Sequence, residues 1–236
     1  MNGFWWRSER DRDVSALIPD LVVCRPGRVD YEPAWRAMQA FTDGREPGTP
    51  DEFWLLEHPP VFTLGRVARP EHVLDAGDIP LVQVDRGGQV TYHGPGQIVL
   101  YTLVDLRARG VGVRSLVATL EQAVIDVLGT EGVEAARRDG APGVYVDGRK
   151  IAALGLRVRR GCSYHGLALN VDCGLEPFAR IDPCGYRGLE VTSTVTEGVT
   201  ADGDLLGERL ITRLVAALGY RAVAEVTRVP PDMEYP

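Results

Sequence analysis

GVYVDGRKIAALGLRVR, residues 143–159, is the stretch of sequence that decides the fold. Two runs rich in apolar and β-branched residues flank the dipeptide Asp147-Gly148, a strong short-range signal for a two-residue β-hairpin turn. Residues 143–146 and 149–158 are therefore expected to pair as antiparallel strands. A long strand that arrives as part of a hairpin favours a sheet built largely from antiparallel pairs.

Strand and helix signals are interspersed along the rest of the chain. The predicted strands are Phe53–Leu56, Val61–Leu64, Leu81–Val84, Gln97–Val104, Gly143–Val146, Ile151–Arg159 and Leu167–Val171. Apolar residues at helical spacing predict helices over 31–42, 114–129 and 204–218. Helices inserted among hairpin strands predict an α+β fold, a mixed and mostly antiparallel sheet packed by helices.

Bulk composition limits the classes of protein. The 236 residues are 44% hydrophobic and 25% charged, which is ordinary for a globular protein. We expect an N-terminal extension over 1–18, one domain over 19–228 and a tail over 229–236. The charged N-terminus does not resemble a secretory signal, and no apolar run approaches the roughly 20 residues of a membrane span, so a cytoplasmic protein without membrane partners is expected. A net charge of −7 with scattered arginines disfavours a nucleic-acid partner.

One cysteine has a different setting from the others. The cysteines are Cys24, Cys162, Cys173 and Cys184, and the histidines are His58, His72, His93 and His165. Neither set has metal-ligand spacing, so no metal site is expected, and buried thiols are the ordinary alternative for cysteines in a reducing compartment. Cys184 lies between Pro183 and Gly185, where a loop would expose the thiol and bring the backbone N–H of Gly185 close to an oxyanion. It is the candidate nucleophile.

Lysine is nearly absent from the chain. There are 25 arginines and a single lysine, Lys150. A lysine amine can release its proton near neutral pH when its environment lowers its pKa, whereas a guanidinium cannot. Lys150 is therefore a candidate for proton transfer, with chance survival of one lysine as the equal alternative.

Two further segments have residues that packing alone does not explain. RGGQVTYHGPGQ, residues 86–97, has four glycines that let the backbone approach a ligand, but it lacks the spacing of a nucleotide-phosphate loop. Around the strands at 150–155 and 164–170, small residues interrupt bulky ones; they are Ala152, Ala153, Gly155, Gly166 and Ala168. Small side chains on adjacent strands leave a groove for an extended apolar chain, or simply allow a helix to pack closely.

Taken together, these segments resemble the signatures of the lipoyl(octanoyl) transferase family. The matching stretches are RGGQVTYHGPGQ at 86–97, GRKIAALGLRVRR at 148–160, HGLALNVD at 165–172 and PCG at 183–185. They occur in order, and the similarity covers most of residues 20–220. One departure is Gly161-Cys162, where many members carry a bulky residue.

The resemblance implies the fold of the biotin and lipoate protein ligase catalytic domain, and transfer of an octanoyl or lipoyl group without a cofactor. It implies that Cys184 holds the acyl group as a thioester and that Lys150 is its partner. The implied substrate-binding residues are Arg86, Gly87, Gly88, Gln89, Val90, Thr91, Tyr92, His93, Ala153, Leu154, Gly155, His165, Gly166, Leu167 and Ala168. The implied donor is octanoyl-acyl carrier protein. The implied acceptors are the lipoyl domains of 2-oxoacid dehydrogenase acyltransferase subunits and the glycine-cleavage H protein.

Two other functions are compatible with the same fold. An ATP-dependent lipoate or biotin ligase would share the fold but would need no cysteine at position 184. A catalytically inactive relative would be expected to lack Cys184 or Lys150.

Because acyl carrier proteins are acidic, an arginine patch is expected to dock the donor. Its predicted members are Arg137, Arg138, Arg157, Arg159 and Arg160.

Overall fold

The computed structural model describes residues 19–182 and 188–226. The predicted N-terminal extension, the predicted tail and the segment that contains Cys184 lie outside the described residues. The division into extension, domain and tail therefore stays a prediction.

Eleven strands and three α-helices make up the described part of the chain. The strands are β1 (Leu21–Arg28), β2 (Asp51–Glu57), β3 (Val61–Leu64), β4 (Leu81–Gln83), β5 (Val90–His93), β6 (Gln97–Leu103), β7 (Ala136–Arg137), β8 (Gly143–Val146), β9 (Arg149–Arg159), β10 (Cys162–Asn170) and β11 (Val223–Val226). The helices are α1 (Tyr31–Asp43), α2 (Val113–Thr130) and α3 (Gly203–Leu218), with short 3-10 helices at Pro70–His72 and Glu176–Arg180. All three predicted helices are confirmed to within one residue at each end.

The strands form one large and one small sheet. The large sheet has the order β11-β1-β2-β6-β10-β9-β8-β7, and the small one has the order β4-β3-β5. In the large sheet β1 is parallel to both β11 and β2, while the other five pairs are antiparallel. The prediction of a mixed, mostly antiparallel sheet packed by helices is confirmed.

The predicted hairpin joins β8 to β9. Asp147 and Gly148 have φ values of 48° and 80°, the left-handed pair that a two-residue hairpin turn requires. The register contains an irregularity that the sequence pattern did not reveal. Tyr145 is opposite Lys150 and Val144 is opposite Ala152, so Ile151 is an extra residue in a β-bulge.

The two faces of the large sheet are covered differently. Helices α2 and α3 pack on one face, and their apolar residues form the main core with Leu100, Ile151 and Leu169. Helix α1 covers part of the opposite face through Met38, which packs with Trp54 and Tyr164. The small sheet lies on this second side.

Several strands were missed or shortened by the sequence prediction. Strand β10 begins at Cys162, five residues before its predicted start, because polar residues at its beginning broke the apolar pattern. Strands β1, β5, β7 and β11 were not predicted. The pairing of β1 with β2 is interrupted between Cys24 and Gly27, where Pro26 lies, and β5 lies between glycines. Strands β7 and β11 are short edge strands with little buried surface. Within the described residues, no helix is long and apolar enough to cross a membrane.

Candidate active site

A cavity lies between the large sheet and the small sheet. It contains about 740 Å³ of empty space, part of which is open to solvent. Strands β5, β6, β9 and β10 and the first turn of α1 supply its walls, and the loop that precedes β5 supplies its rim. The predicted site residues that line it are Arg86, Gly88, Gln89, Val90, Thr91, His93, Lys150, Ala153, Leu154, Gly155, His165, Gly166, Leu167 and Ala168.

Small residues on β9 and β10 shape the cavity wall. Gly166 is paired with Gly155, and Ala168 with Ala153, so two rows of small side chains lie next to each other. Gly166 is also needed for packing, because a Cβ there would lie 2.0 Å from the carbonyl oxygen of Leu100. The small residues thus leave an open groove, Gly166 allows the neighbouring strand β6 to approach, and Ala168 packs with Ala34 and Met38 of α1.

The loop at 86–88 is held against β9. The backbone N–H of Gly87 donates to the carbonyl of Leu156 at 2.9 Å. The Arg86 guanidinium is buried and donates to the carbonyl and hydroxyl oxygens of Thr63 at 2.6 and 2.8 Å. Gly155 allows this approach, since a Cβ there would lie 3.1 Å from the carbonyl oxygen of Gly87. The loop thus becomes a rigid part of the cavity rim.

Two predicted binding residues do not line the cavity. Gly87 contributes the backbone hydrogen bond that anchors the loop. Tyr92 belongs to the apolar cluster with Phe62 and Phe178, because β5 alternates its side chains between the cavity and this cluster.

Burial favours the neutral form of His93, which lines the cavity floor, and of His58, which lies beside it. Burial lowers the pKa of His58 to about 4, and it lowers the pKa of His93 well below the ordinary value, with a smaller contribution from His58. Burial also raises the pKa of the neighbouring Tyr31 to about 12. The floor is therefore polar, yet burial disfavours a charge on either His93 or Tyr31.

His165 is held in an unusual conformation. Its φ of 62° is left-handed, which is rare for a residue with a side chain and places its ring beside that of Tyr164. Its Nε2 atom lies 3.1 Å from a carboxylate oxygen of Asp85, so Nε2 carries the proton. Nδ1 is buried without a hydrogen-bond partner among the described residues. Burial lowers the pKa of His165, and the bond to Asp85 offsets this only in part.

Asp85 was not singled out from the sequence. Burial alone would raise its pKa, but hydrogen bonds from His165, Tyr164 and Trp35 together hold that pKa below its usual range. The carboxylate therefore stays charged and orients the imidazole of His165. It directly precedes the glycine-rich segment, but an isolated aspartate before a loop has no distinguishing signal.

A hydrogen-bonded chain links the histidine of β5 to the segment that follows Cys184. His93 Nδ1 lies 2.7 Å from the side-chain oxygen of Gln97, whose amide donates to Asn170 at 2.9 Å. Asn170 donates in turn to the carbonyl of Thr192 at 3.0 Å. Gln97 and Asn170 line the cavity but were not predicted, although both lie at the ends of the quoted segments.

Lys150 reaches the cavity because of the β-bulge. Ile151 and Ala152 both pack into the core on the α2 side, whereas Lys150 and Ala153 line the cavity. Regular alternation would have placed Lys150 on the same face as Ala152. The side chain is buried, and its ammonium lies 5.5 Å from the centre of the Tyr145 ring.

The described residues that follow the Cys184 segment pair with the backbone of Lys150. The backbone N–H of Lys150 donates to the carbonyl of Glu190 at 2.8 Å, and Thr192 donates to the carbonyl of Lys150 at 2.9 Å. A second cavity, lined by Asp182, Gly188 and other residues, shares Phe178 and Val191 with the first. Described residues on both sides of the Cys184 segment therefore line the second cavity, which adjoins the cavity that Lys150 lines.

The other three cysteines lack the accessible thiol that a nucleophile requires. Cys24, Cys162 and Cys173 are all buried. Burial raises the pKa of Cys162, and it raises that of Cys173 to about 12. A thiol that stays protonated inside a core is a poor nucleophile.

The predicted arginine patch is partly occupied by internal contacts. Arg159 pairs with Asp43 at 3.0 Å, and Arg160 donates to the Asp43 carbonyl at 2.9 Å. Arg137 pairs with Glu121 at 3.1 Å. Arg157 lies on the same strand as the cavity wall and is partly exposed. In the described part of the chain, no three histidine, cysteine or acidic side chains come together as a metal-binding group.

Comparison with known proteins gives a consistent family. Residues 30–215 match the model of the lipoyl protein ligase A/B catalytic domain. An octanoyltransferase of Thiobacillus denitrificans is 69% identical over 174 residues, which cover 74% of this chain and 80% of that protein. An octanoyltransferase of Azoarcus sp. is 62% identical and covers 86% of this chain and 90% of its own length.

Solved structures show the same fold at low sequence identity. A putative lipoate protein ligase from T. acidophilum with bound lipoic acid has a TM-score of 0.70 at 19% identity, over 90% of both chains. A lipoate-protein ligase A bound with ATP has a TM-score of 0.71 at 16% identity, again over 90% of both chains. At such identities the likeness shows the fold alone.

Proposed function

The chain belongs to the octanoyltransferases of the lipoyl protein ligase A/B family and is an acyltransferase, and we propose that it carries the octanoyl group on Cys184. In this proposal the donor is octanoyl-acyl carrier protein and the acceptor is the lysine of a lipoyl domain. The acceptors include lipoyl domains of 2-oxoacid dehydrogenases and the glycine-cleavage H protein. The reaction takes place in the cytoplasm and needs no ATP.

The placement of Lys150 is the observation that carries the proposal. The single lysine of the chain is buried at the cavity edge, and its backbone is hydrogen-bonded to Glu190. Cys184 follows Asp182 by two residues, and two residues span at most about 7 Å. Asp182 borders the cavity that adjoins the one containing Lys150. The described residues that flank the Cys184 segment thus line a cavity next to that of Lys150, and this supports a contact between the Cys184 thiol and the Lys150 ammonium.

Such a contact would convert the Cys184 thiol into the thiolate, which is the nucleophile. Free cysteine and lysine have pKa values of about 8.5 and 10.4, so neither is in its reactive form at neutral pH. A thiolate about 4 Å from an ammonium is stabilised by about 4 kcal/mol at an effective dielectric constant of 20. The pair then titrates as a coupled unit.

The proton balance of both steps closes on these two groups. In the first step the Cys184 thiolate attacks the donor thioester, and the leaving pantetheine thiolate takes a proton from the Lys150 ammonium. In the second step the acceptor amine attacks the new thioester and gives a proton to neutral Lys150, while the Cys184 thiolate leaves. The resting ion pair is restored.

The cavity suits the acyl chain. Its small-residue groove on β9 and β10 offers an apolar surface to an extended alkyl group, and the neutral histidines avoid burying a charge beside it. The buried acceptor on His165 Nδ1 is costly without a partner, and a donor group of the bound substrate or a water molecule would satisfy it.

The ATP-dependent ligase is the alternative to be excluded. The test offers purified enzyme and lipoyl domain either octanoyl-acyl carrier protein without ATP or free octanoate with ATP and Mg²⁺. The proposal expects octanoylation of the lipoyl-domain lysine with the first donor alone, measured by intact mass. Transfer that requires free acid and ATP would show that the chain acts as a ligase.

The Lys150→Arg variant tests the role of the lysine. It retains a positive charge but cannot accept a proton near neutral pH. Acylation of Cys184 is expected to persist at a reduced rate, while transfer to the lipoyl domain falls much further. Lys150→Ala should impair both steps. If Lys150→Arg transfers as fast as the parent enzyme in single-turnover measurements, Lys150 is not the base.

A further inference from the structure

A buried carboxylate on α2 has no part in the proposed reaction. Glu121 lies on the side of the helix that faces the sheet, among residues that are otherwise apolar, and is 7% exposed. Its Oε1 atom accepts a hydrogen bond from the backbone N–H of Gly143 at 3.0 Å. Its Oε2 atom accepts from Arg137 at 3.1 Å. A buried carboxylate is destabilising unless such partners compensate it, so its position calls for a reason.

Gly143, the partner of Glu121, borders the side chain of Lys150. A Cβ at Gly143 would lie 2.4 Å from Cε of Lys150, 3.1 Å from its Nζ and 2.8 Å from the carbonyl oxygen of Ala152. Real Cβ atoms do not approach other atoms so closely, so the lysine occupies space that any other residue would need. Gly143 also has a φ of 142°, which favours glycine.

The same short strand supplies a second boundary for the ammonium. Tyr145, two residues after Gly143, presents its ring 5.5 Å from the Lys150 nitrogen. Its hydroxyl donates to the carbonyl of Ala141 at 3.0 Å, which braces the ring. Strand β8 thus borders the Lys150 side chain at two positions, at Gly143, which has no side chain, and at Tyr145, which has a large one.

We infer that Gly143 and Glu121 are positioning residues for Lys150. Gly143 leaves the space in which the ammonium reaches the cavity, and Glu121 holds the backbone of Gly143 at the required distance. Through Lys150 the two residues set the fraction of Cys184 that is thiolate at neutral pH. This inference rests on the proposed function, because it assumes that Lys150 acts on Cys184.

The chain offers a matched control for the glycine. Gly148, in the hairpin turn five residues later, also has a positive φ of 80°, but a Cβ there would meet nothing within 4 Å. Gly143→Ala and Gly148→Ala therefore both place a Cβ at a positive φ, and only the first also meets other atoms, which are the end of the Lys150 side chain and the carbonyl oxygen of Ala152. For the carboxylate, Glu121→Gln keeps an oxygen that can accept from Gly143, and Glu121→Leu removes it.

The experiment measures the pH dependence of Cys184 alkylation by iodoacetamide, with the modified residue identified by peptide mass. Gly143→Ala should raise the apparent pKa of Cys184 toward the free value of about 8.5, and each unit of that rise lowers the alkylation rate below the pKa by up to about tenfold. Gly148→Ala should keep the parent profile. Glu121→Leu should shift it in the same direction as Gly143→Ala, and Glu121→Gln should shift it less.

The outcomes separate this inference from the proposed function. If Lys150→Ala raises the pKa of Cys184 but Gly143→Ala and Glu121→Leu keep the parent value, the positioning inference is wrong and the cysteine–lysine pair stands. If Lys150→Ala itself leaves the profile unchanged, the proposed pair is wrong. Should Gly143→Ala fail to fold, the two Glu121 variants decide the question, because neither strains the backbone. Equal profiles for Glu121→Leu and the parent would then overturn the inference.

Discussion

The two faces of strands β9 and β10 share one backbone but differ in the size of their side chains. Toward α2 and α3 the strands present Ile151 and Leu169, fully buried in the main core. Toward the cavity they present small residues, such as Gly155 and Ala168, beside a lysine. The first face stabilises the fold by excluding water from large side chains. The second face leaves space unfilled. Substitutions on the two faces should therefore separate stability from activity.

Leu169→Ala should give the largest change, and it should be a change in stability. The side chain is fully buried in the helix-covered core, so its truncation removes apolar contacts and leaves a cavity. We expect the free energy of unfolding to fall by about 3 kcal/mol. Urea denaturation measures this loss. The transfer rate per folded molecule should stay close to that of the parent enzyme, and a selective loss of activity would break the distinction between the faces.

Ala153→Leu, on the cavity face of the neighbouring strand β9, should have the opposite profile. Ala153 lines the cavity and is partly exposed, so the longer side chain would extend into the groove. Because a small misplacement of the reacting groups is costly, octanoyl transfer should fall by about a hundredfold. The melting temperature should change little. A variant that loses stability but transfers the octanoyl group normally would show that the cavity face is packed like the helix-covered face.

Acidification should destabilise the cavity side. The pKa of His58 is lowered by burial to about 4, while in the unfolded chain it is about 6.5. Below pH 6.5 the unfolded state therefore binds more protons, and stability falls as the pH falls toward 4. At pH 5 this histidine alone should cost about 2 kcal/mol relative to pH 7. His93 and His165 act in the same direction.

The measurement compares urea denaturation at pH 7 and pH 5 in the parent and in His58→Gln. The variant removes the titrating group, so its pH dependence should be weaker by about 2 kcal/mol. An equal pH dependence of stability in both proteins would mean that His58 binds protons to the same extent in the folded and unfolded states, and that its pKa is not lowered.

Arg157→Glu should have the smallest effect, because it acts at the surface. Of the predicted docking patch, Arg159 and Arg137 are already paired with Asp43 and Glu121, and Arg157 is chosen because it is partly exposed on the strand that forms the cavity wall. Reaction with octanoyl-acyl carrier protein should slow several-fold, and more at low salt. Reaction with octanoyl-pantetheine should not change. Arg114→Glu, on α2, is the control, and an equal loss with both donors would indicate a structural role.

The sequence predicted most of what local chemistry determines. The Asp147-Gly148 turn and the apolar stripes of the helices depend on nearby residues, so their patterns were readable. Small residues on β9 and β10 likewise indicated the groove. In contrast, the bulge at Ile151 depends on how β8 pairs with β9, and alternation alone would have directed Lys150 into the core. The importance of Asp85 and Glu121 also arises from contacts across 80 and 22 residues.

The signature segments together predicted the function more specifically than any single residue did. One cysteine in a loop or one lysine among arginines is a weak signal, and each became specific only in combination with the others. The small-residue groove could not be separated from close helix packing without the structure. Ala168 explains why, since it lines the cavity and also packs with Ala34 and Met38 of α1.

The central claim is that Cys184 carries the acyl group, and the acyl-enzyme itself tests it most directly. The enzyme is mixed with octanoyl-acyl carrier protein in the absence of acceptor, quenched in acid and analysed by intact and peptide mass. The account predicts one octanoyl adduct, located on Cys184, which disappears when lipoyl domain is added and never forms in Cys184→Ser. An adduct on another residue, or octanoyl transfer at the parent rate by Cys184→Ser, would contradict it.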